Sequence, residues 1–177
     1  KDAQVLAAVT GKTLDQLDAE FRAFLEKRYE HYRRGFLFDP QEYANVAALK
    51  EAAESRPSDV AAQAAYAAAL LKDPNAAQPQ ARKALALDPK NTLARFVLAE
   101  VLAKTDTEAA RTEYEVLLAQ GVDGYPIRIA LGRIAAMAGN VEGAQRHLNE
   151  AKKWAPDRGE PYAYLLQLYE AKELRNE

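Results

Sequence analysis

The chain has 177 residues, of which 28% are charged and 49% apolar, and its formal net charge is −2. This length is typical of one domain and is enough to bury a core without a metal or a disulfide. The absence of cysteine excludes disulfides, zinc–cysteine sites and a cysteine nucleophile. The nearly balanced charge gives no electrostatic basis for binding nucleic acid, and no apolar run approaches the ~20 residues of a membrane span.

The chain starts at Lys1 and shows no signal-like apolar segment. We therefore expect a fragment or a processed chain, and the sequence leaves the compartment open, including export of the parent protein. We expect the chain to be a monomer.

Residues that favour helices dominate from end to end, and alanine alone occupies 37 positions. A first helix is predicted from Thr13 to Arg34, and it opens with the capping box Thr13-Leu14-Asp15-Gln16. A second helix is predicted from Asp39, an N-cap followed by Pro40, to Arg56. The first helix has one apolar face, which carries Leu17, Phe21, Phe24, Leu25, Arg28 and Tyr32.

Prolines that end helices recur at a regular spacing in the rest of the chain. Pro57 and Pro89 are 32 residues apart, and Pro156 follows 67 residues later, which is close to two further periods. A period near 34 residues indicates stacked helical hairpins, with one hairpin in each repeat. Since no strand is predicted, the fold class is all-α, built as a solenoid of antiparallel helix pairs.

The clearest unit, residues 125–158, resembles a tetratricopeptide repeat. Leu131-Gly132 occupy the Leu-Gly positions of the first helix, and Gly139-Asn140 occupy the turn. Arg128 and Ala135 replace the Trp and Tyr of the family. Its second helix carries the small and apolar residues that close helix packing needs, namely Ala144, Leu148, Ala151 and Pro156.

Further units are in phase with this repeat. Residues 58–91 and 92–124 form two of them, and residues 159–177 supply a lone first helix that is expected to cap the end. Residues 58–177 are thus predicted to form about three repeats plus a C-terminal capping helix, and the resemblance implies a right-handed α-solenoid. Residues 1–57 are expected to form irregular N-terminal helices that pack on the first repeat. Pro79 lies inside a second helix and predicts a kink there or a late start near Gln78.

The segment from Leu6 to Phe24 loosely resembles the closing helices of a gluzincin-type zinc metallopeptidase domain, which precedes such repeats in some bacterial proteins. This resemblance implies that the chain is a structural tail or spacer and that the active site lies upstream of Lys1. Within the chain, His31 and His147 belong to no His-Glu-x-x-His motif. No pattern for a catalytic residue, a metal or a cofactor is found, and the chain is interpreted as non-enzymatic.

In the resembled family the first helices line a concave groove that binds a peptide or a helix, so the same positions are the candidate site here. The expected partner is a protein or peptide, or an upstream domain of the parent protein. The principal candidates are Tyr66, Leu93, Phe96, Glu100, Ile129, Arg133 and Gln167. Further side chains at groove positions are Ala62, Leu70, Lys104, Met137 and Ala163.

Tyr66, Phe96 and Ile129 are expected to form an apolar strip in this groove. If the strip is exposed, it is the place where a partner binds. The alternative is that the N-terminal helices or the rest of the parent protein cover it, which would make the module a spacer. Exposure of the Phe96 ring distinguishes the two interpretations.

Overall fold

The computed structural model describes residues 9–35 and 38–173, and the side chains of residues 9–25 and 38–170. The chain divides into two compact units, residues 1–35 and residues 36–177. Within the described residues the secondary structure is helical and contains no strand, which confirms the predicted all-α class. No helix in this part of the chain combines the length and the apolar content that crossing a bilayer requires.

The first unit contains helix α1, Leu14–Gly35. Thr13 and Gln16 cap it reciprocally, because the Gln16 N–H donates to Thr13 Oγ1 at 3.3 Å and the Thr13 N–H donates to Gln16 Oε1 at 2.9 Å. The predicted capping box is thereby confirmed. Phe21 and Phe24 on the predicted apolar face are both exposed. Leu6, Arg28 and Tyr32 lie outside the residues whose side chains are described.

The second unit is a succession of short helices joined by tight turns. The most extensive packing joins α3 with α4, α5 with α6, and α7 with α8, and consecutive pairs also contact each other. Neighbouring helices therefore pack as stacked hairpins require. The elements are a 3₁₀-helix Pro40–Tyr43, α2 Val46–Ser55, α3 Val60–Ala69, α4 Pro74–Leu87, α5 Thr92–Leu102, α6 Thr107–Ala119, α7 Tyr125–Met137, α8 Val141–Trp154 and α9 Glu160–Glu173.

An aspartate or asparagine side chain caps the start of most helices in this unit. Each accepts a hydrogen bond from a backbone N–H in the first turn, an arrangement that stabilises a helix by about 1 kcal/mol. These caps explain why the turns fall where they do. The capping residues are Asn45, Asp59, Asp73, Asn91, Asp106 and Asn140.

The prediction of one helix from Asp39 to Arg56 is wrong. Asp39 caps only the 3₁₀-helix, accepting from the Gln41 N–H at 2.9 Å. Asn45 then accepts from the Ala48 N–H at 3.1 Å and starts α2. Because two capping residues follow each other closely, the segment divides into two separate elements.

The predicted late start of the helix that contains Pro79 is also wrong. Helix α4 runs without interruption from Pro74 to Leu87 and includes Pro79. The Asp73 carboxylate holds its first turn by accepting from the Asn75 N–H at 3.1 Å. Pro79 and Asn75 are both exposed, so water can reach the Asn75 carbonyl that proline leaves without a donor.

Small residues allow α7 and α8 to approach closely, as the repeat pattern predicts. Ala144 and Ala151 are fully buried, as close packing of the two helices requires. A Cβ atom placed on Gly132 would lie 2.7 Å from the Leu148 side chain. In the turn between the two helices, Gly139 has a φ of +73°, a conformation that glycine adopts without strain.

Candidate binding groove

Phe96 is the central residue of the predicted strip, and its side chain is buried, with an exposed fraction of 5%. Its ring packs against the ring of Phe38, with 5.8 Å between the ring centroids. Of the two interpretations of the strip, the buried Phe96 ring agrees with the covered one, which is the interpretation that makes the module a spacer. Phe96 belongs to the main apolar core of the unit, and Phe38, which lies N-terminal to the repeats, packs against that core. Phe38 lies outside the helices, whereas the alternative interpretation expected N-terminal helices or the rest of the parent protein as the cover.

Phe38 belongs to a short structured stretch, residues 38–44, which we call the staple segment. Phe38 immediately precedes the Asp39 cap, and Tyr43 is the fourth residue of the helix that follows. The two rings stack at a centroid distance of 5.2 Å and an interplanar angle of 8°. Apolar side chains at these two positions form a hydrophobic staple, which fixes the direction in which the chain enters the helix.

Two cavities share Phe38 as a lining residue, and we call them together the Phe38 groove. The α7 cavity has a volume of about 340 Å³ and the α3 cavity about 460 Å³. Phe38 and Glu100 line both. The α7 cavity is lined in addition by Tyr125, Ile129, Arg133, Arg158 and Glu160, and the α3 cavity by Tyr43, Ala68, Leu71, Lys72 and Lys104.

A buried tyrosine holds Glu100 at the centre of the groove. The Tyr114 hydroxyl donates to Glu100 Oε1 at 2.6 Å, and the Tyr114 side chain is fully buried. Burial, and after it the Glu100 carboxylate, raise the pKa of Tyr114 far above its ordinary value. Tyr114 therefore stays protonated at any physiological pH, and it orients a carboxylate that both cavities share.

Tyr125 forms a second fixed contact in the wall of the α7 cavity. Its hydroxyl donates to Glu160 Oε2 at 2.9 Å, and the Arg158 guanidinium lies 5.0 Å from its ring centroid. Burial, and after it the hydrogen bond to Glu160, raise the pKa of Tyr125 to about 12. This wall thus presents charges of both signs beside the apolar side chain of Ile129. Such a surface can form ion pairs and hydrogen bonds with a ligand while it packs on apolar groups.

The structure brings part of the predicted site together. Glu100, Ile129 and Arg133 line the α7 cavity, and Lys104 lines the α3 cavity. Four of the seven principal candidates line neither cavity, namely Tyr66, Leu93, Phe96 and Gln167. The further positions Ala62, Leu70, Met137 and Ala163 line neither cavity either. Tyr66 and Leu93 are half-buried, and Gln167 is exposed on α9. The predicted residues that the structure brings together therefore lie on or next to the first helices of the second and third pairs.

Sequence reasoning missed Phe38 and Tyr43, although a local signal for them exists. An apolar residue before an Asp-Pro cap and another four residues after the cap are the signature of a hydrophobic staple. Sequence reasoning also missed Tyr125, Arg158 and Glu160 as wall residues, and for them no local signal exists. Their contacts join the first residue of α7 to the turn before α9 and to the first residue of α9.

In the described part of the chain no group of three or more histidine, aspartate and glutamate side chains is arranged to hold a metal ion. No known family model matches the chain, and no curated protein matches it either. The groove itself is therefore the basis for assigning a function.

Proposed function

We propose that residues 58–177 form a non-catalytic interaction module of the tetratricopeptide type, with the Phe38 groove as its binding surface. In this proposal the helix pairs stack as a right-handed solenoid and α9 caps its end. The packing of α3 to α8 in successive pairs supports it, as do the close contact of Gly132 with Leu148 and the buried Ala144 and Ala151. These are the points at which the repeat pattern requires small residues.

The observation that carries the binding role is that the groove already holds a short segment of chain. The ring of Phe38 packs against Phe96 and lines both cavities, which are themselves open. Cavities of this size fall at the lower end of the range found for ligand pockets, and a side chain fits into each. A bound peptide would thus place one side chain in each cavity.

The charges of the lining define what such a peptide should carry. Arg133 supplies a cation to the α7 cavity and Lys104 supplies one to the α3 cavity, with the Glu100 carboxylate between them. Acidic groups of the peptide that enter the two cavities would pair with Arg133 and Lys104. The residue between them should not be acidic, because it would lie beside the Glu100 carboxylate. Chaperone-binding members of the resembled family hold a terminal carboxylate with Lys and Asn, but this chain has Ala62, Tyr66, Phe96 and Glu100 at those positions. Binding of a terminal carboxylate is therefore not part of the proposal.

Selection of peptides from a random displayed library on the full chain tests this proposal. Peptides selected on the wild type are measured against Arg133→Ala and Lys104→Ala, with one groove cation removed in each. Arg82→Ala serves as the matched control, because Arg82 is an exposed cation on α4 that lines neither cavity. We expect a loss of at least about tenfold in affinity, or about 1.4 kcal/mol, in one of the groove variants and no change in the control.

Two results of this selection would contradict the binding role. One is that no peptide is selected at all. The other is that the selected peptides bind Arg133→Ala, Lys104→Ala and Arg82→Ala equally well, which would place their site outside the groove.

A second candidate function is that of a structural tail or spacer of a larger zinc metallopeptidase. The observation that favours it is the cover on Phe96, because the chain's own Phe38 closes the centre of the strip. The sequence upstream of Lys1 provides the direct check. A His-Glu-x-x-His helix there, together with a failure to select any groove-binding peptide, would favour the spacer over the interaction module.

A further inference from the structure

We infer that the staple segment is an internal ligand of the groove, and that the partner is a peptide with the same Phe-Asp-Pro-x-x-Tyr pattern, which replaces it. This inference rests on the proposed function, since it names the class of partner for the same site. The staple segment itself shows which chemistry the groove accepts. Four features of the structure support the exchange.

The first feature is that the segment is held by its aromatic rings. Phe38 packs on Phe96 and on Tyr43, and both Phe38 and Tyr43 contact the main apolar core of the unit. Tyr43 is half-buried, and this burial, followed by the charge of Glu42, raises the pKa of its hydroxyl. Another peptide that carries the same two rings can make the same contacts.

The second feature is that the hydrogen bonds of the segment are local. The Asp39 carboxylate accepts from the Gln41 N–H, the Asp39 carbonyl from the Glu42 N–H at 3.2 Å, and the Gln41 carbonyl from the Ala44 N–H at 3.3 Å. Over the described residues, none of the recorded hydrogen bonds of residues 38–44 reaches the helices of the groove. The segment can therefore leave without breaking a hydrogen bond to the groove.

The third feature is that interactions within the pattern itself favour its bound conformation. Asp39 caps the short helix, Pro40 fixes its first residue, and the stacked rings of Phe38 and Tyr43 complete the staple. A peptide with these four residues has part of its bound form prepared by local interactions, which lowers the entropy lost on binding. Gln41, at one of the two intervening positions, is exposed and leaves that position free to vary.

The fourth feature is the continuity of the groove. The α7 and α3 cavities share Phe38 and Glu100 as lining residues. The two cavities therefore adjoin at these two side chains. A partner peptide with the same pattern would place its phenylalanine at this junction, and the residues that flank it could enter the two cavities, which Arg133 and Lys104 line.

Binding of a labelled synthetic peptide to the full chain tests this inference. The probe is fluorescein-labelled Phe-Asp-Pro-Gln-Glu-Tyr-Ala-Asn, the sequence of residues 38–45, and fluorescence anisotropy gives its dissociation constant. The proteins are the wild type, the double variant Phe38→Ala/Tyr43→Ala and the control Leu166→Ala. Leu166 is a suitable control because it is an exposed apolar residue on α9 that lines neither cavity. Circular dichroism verifies that each protein is folded.

We expect the double variant to bind the probe at least about tenfold more tightly than the wild type, because its groove is vacant at all times. The control should bind as the wild type does, and a probe with both aromatic residues changed to alanine should not bind. Equal affinity for the wild type and the double variant would overturn the internal-ligand role, and so would a folded double variant that does not bind the probe.

Asp39→Ala decides the question if the double variant does not fold. This change removes the N-cap hydrogen bond and leaves both rings in place, so it destabilises the staple segment by about 1 kcal/mol. The probe should therefore bind this variant about fivefold more tightly than it binds the wild type. Unchanged affinity would overturn the inference. The library selection keeps the two proposals separate, because selected peptides that depend on Arg133 or Lys104 sustain the proposed function even if this probe fails.

Discussion

Replacing Gly132 by alanine tests how closely α7 and α8 pack. The new Cβ would lie 2.7 Å from both Cγ and Cδ2 of Leu148, a distance that real Cβ contacts do not show. Leu148 is fully buried and cannot turn towards solvent. Relieving such an overpacked contact costs about 1–3 kcal/mol, while the better helix propensity of alanine returns about 1 kcal/mol. We therefore expect Gly132→Ala to lower the free energy of unfolding by up to about 2 kcal/mol.

A double-mutant cycle separates the two contributions. Leu148→Ala alone should cost about 2–5 kcal/mol, and it also removes the atoms that the new Cβ would meet. In that background Gly132→Ala should become stabilising by about 1 kcal/mol. Urea unfolding followed by circular dichroism measures all four proteins. If Gly132→Ala stabilises the chain in both backgrounds, the two helices do not approach closely at this point and the register of the repeat is wrong.

Three further predictions concern other buried contacts. Ala151→Leu should lower the free energy of unfolding by about 1–3 kcal/mol, because its site is fully packed, and an unchanged melting temperature would speak against the predicted helix crossing. Burial, and after it a neighbouring arginine, lower the pKa of His147 below its ordinary 6.5. The folded chain thus favours the neutral ring, and its stability should fall as the pH drops below about 6.5. The fall should be smaller in His147→Gln. Parallel pH profiles of the unfolding midpoint for the two proteins would refute this prediction. Tyr114→Phe removes the hydrogen bond to Glu100 and should cost about 1.5–3 kcal/mol in urea unfolding, whereas a neutral effect would mean that water replaces the hydroxyl.

The helices could largely be predicted from the sequence because their boundaries are set by local chemistry. Asp73 with Pro74 and the Gly139-Asn140 turn act on residues within one helical turn, so their effect is visible in the sequence. The break at Asn45 was missed because asparagine is also tolerated inside a helix. Its role as a cap depends on a single side-chain hydrogen bond to the Ala48 N–H.

The groove could be predicted only in part. The repeat pattern gives the position of Phe96 on its helix, but it does not reveal that Phe38 covers the ring, since this contact joins residues far apart in the chain. The hydrogen bond from Tyr114 to Glu100 likewise depends on how closely α5 and α6 pack. Helix faces follow from periodicity, whereas the partners on those faces follow from tertiary packing.

The contact between Phe38 and Phe96 tests the central claim most directly. Nuclear Overhauser effects between the protons of the two rings can be recorded in the full chain with labelled phenylalanine, before and after saturation with a peptide selected on the groove. With 5.8 Å between the ring centroids, we expect a clear effect in the free chain and its loss in the complex. Two results would contradict the claim that a partner displaces the staple segment from the groove. One is the absence of the effect in the free chain. The other is an effect that persists in the complex while the peptide perturbs the signals of Ile129 and Arg133.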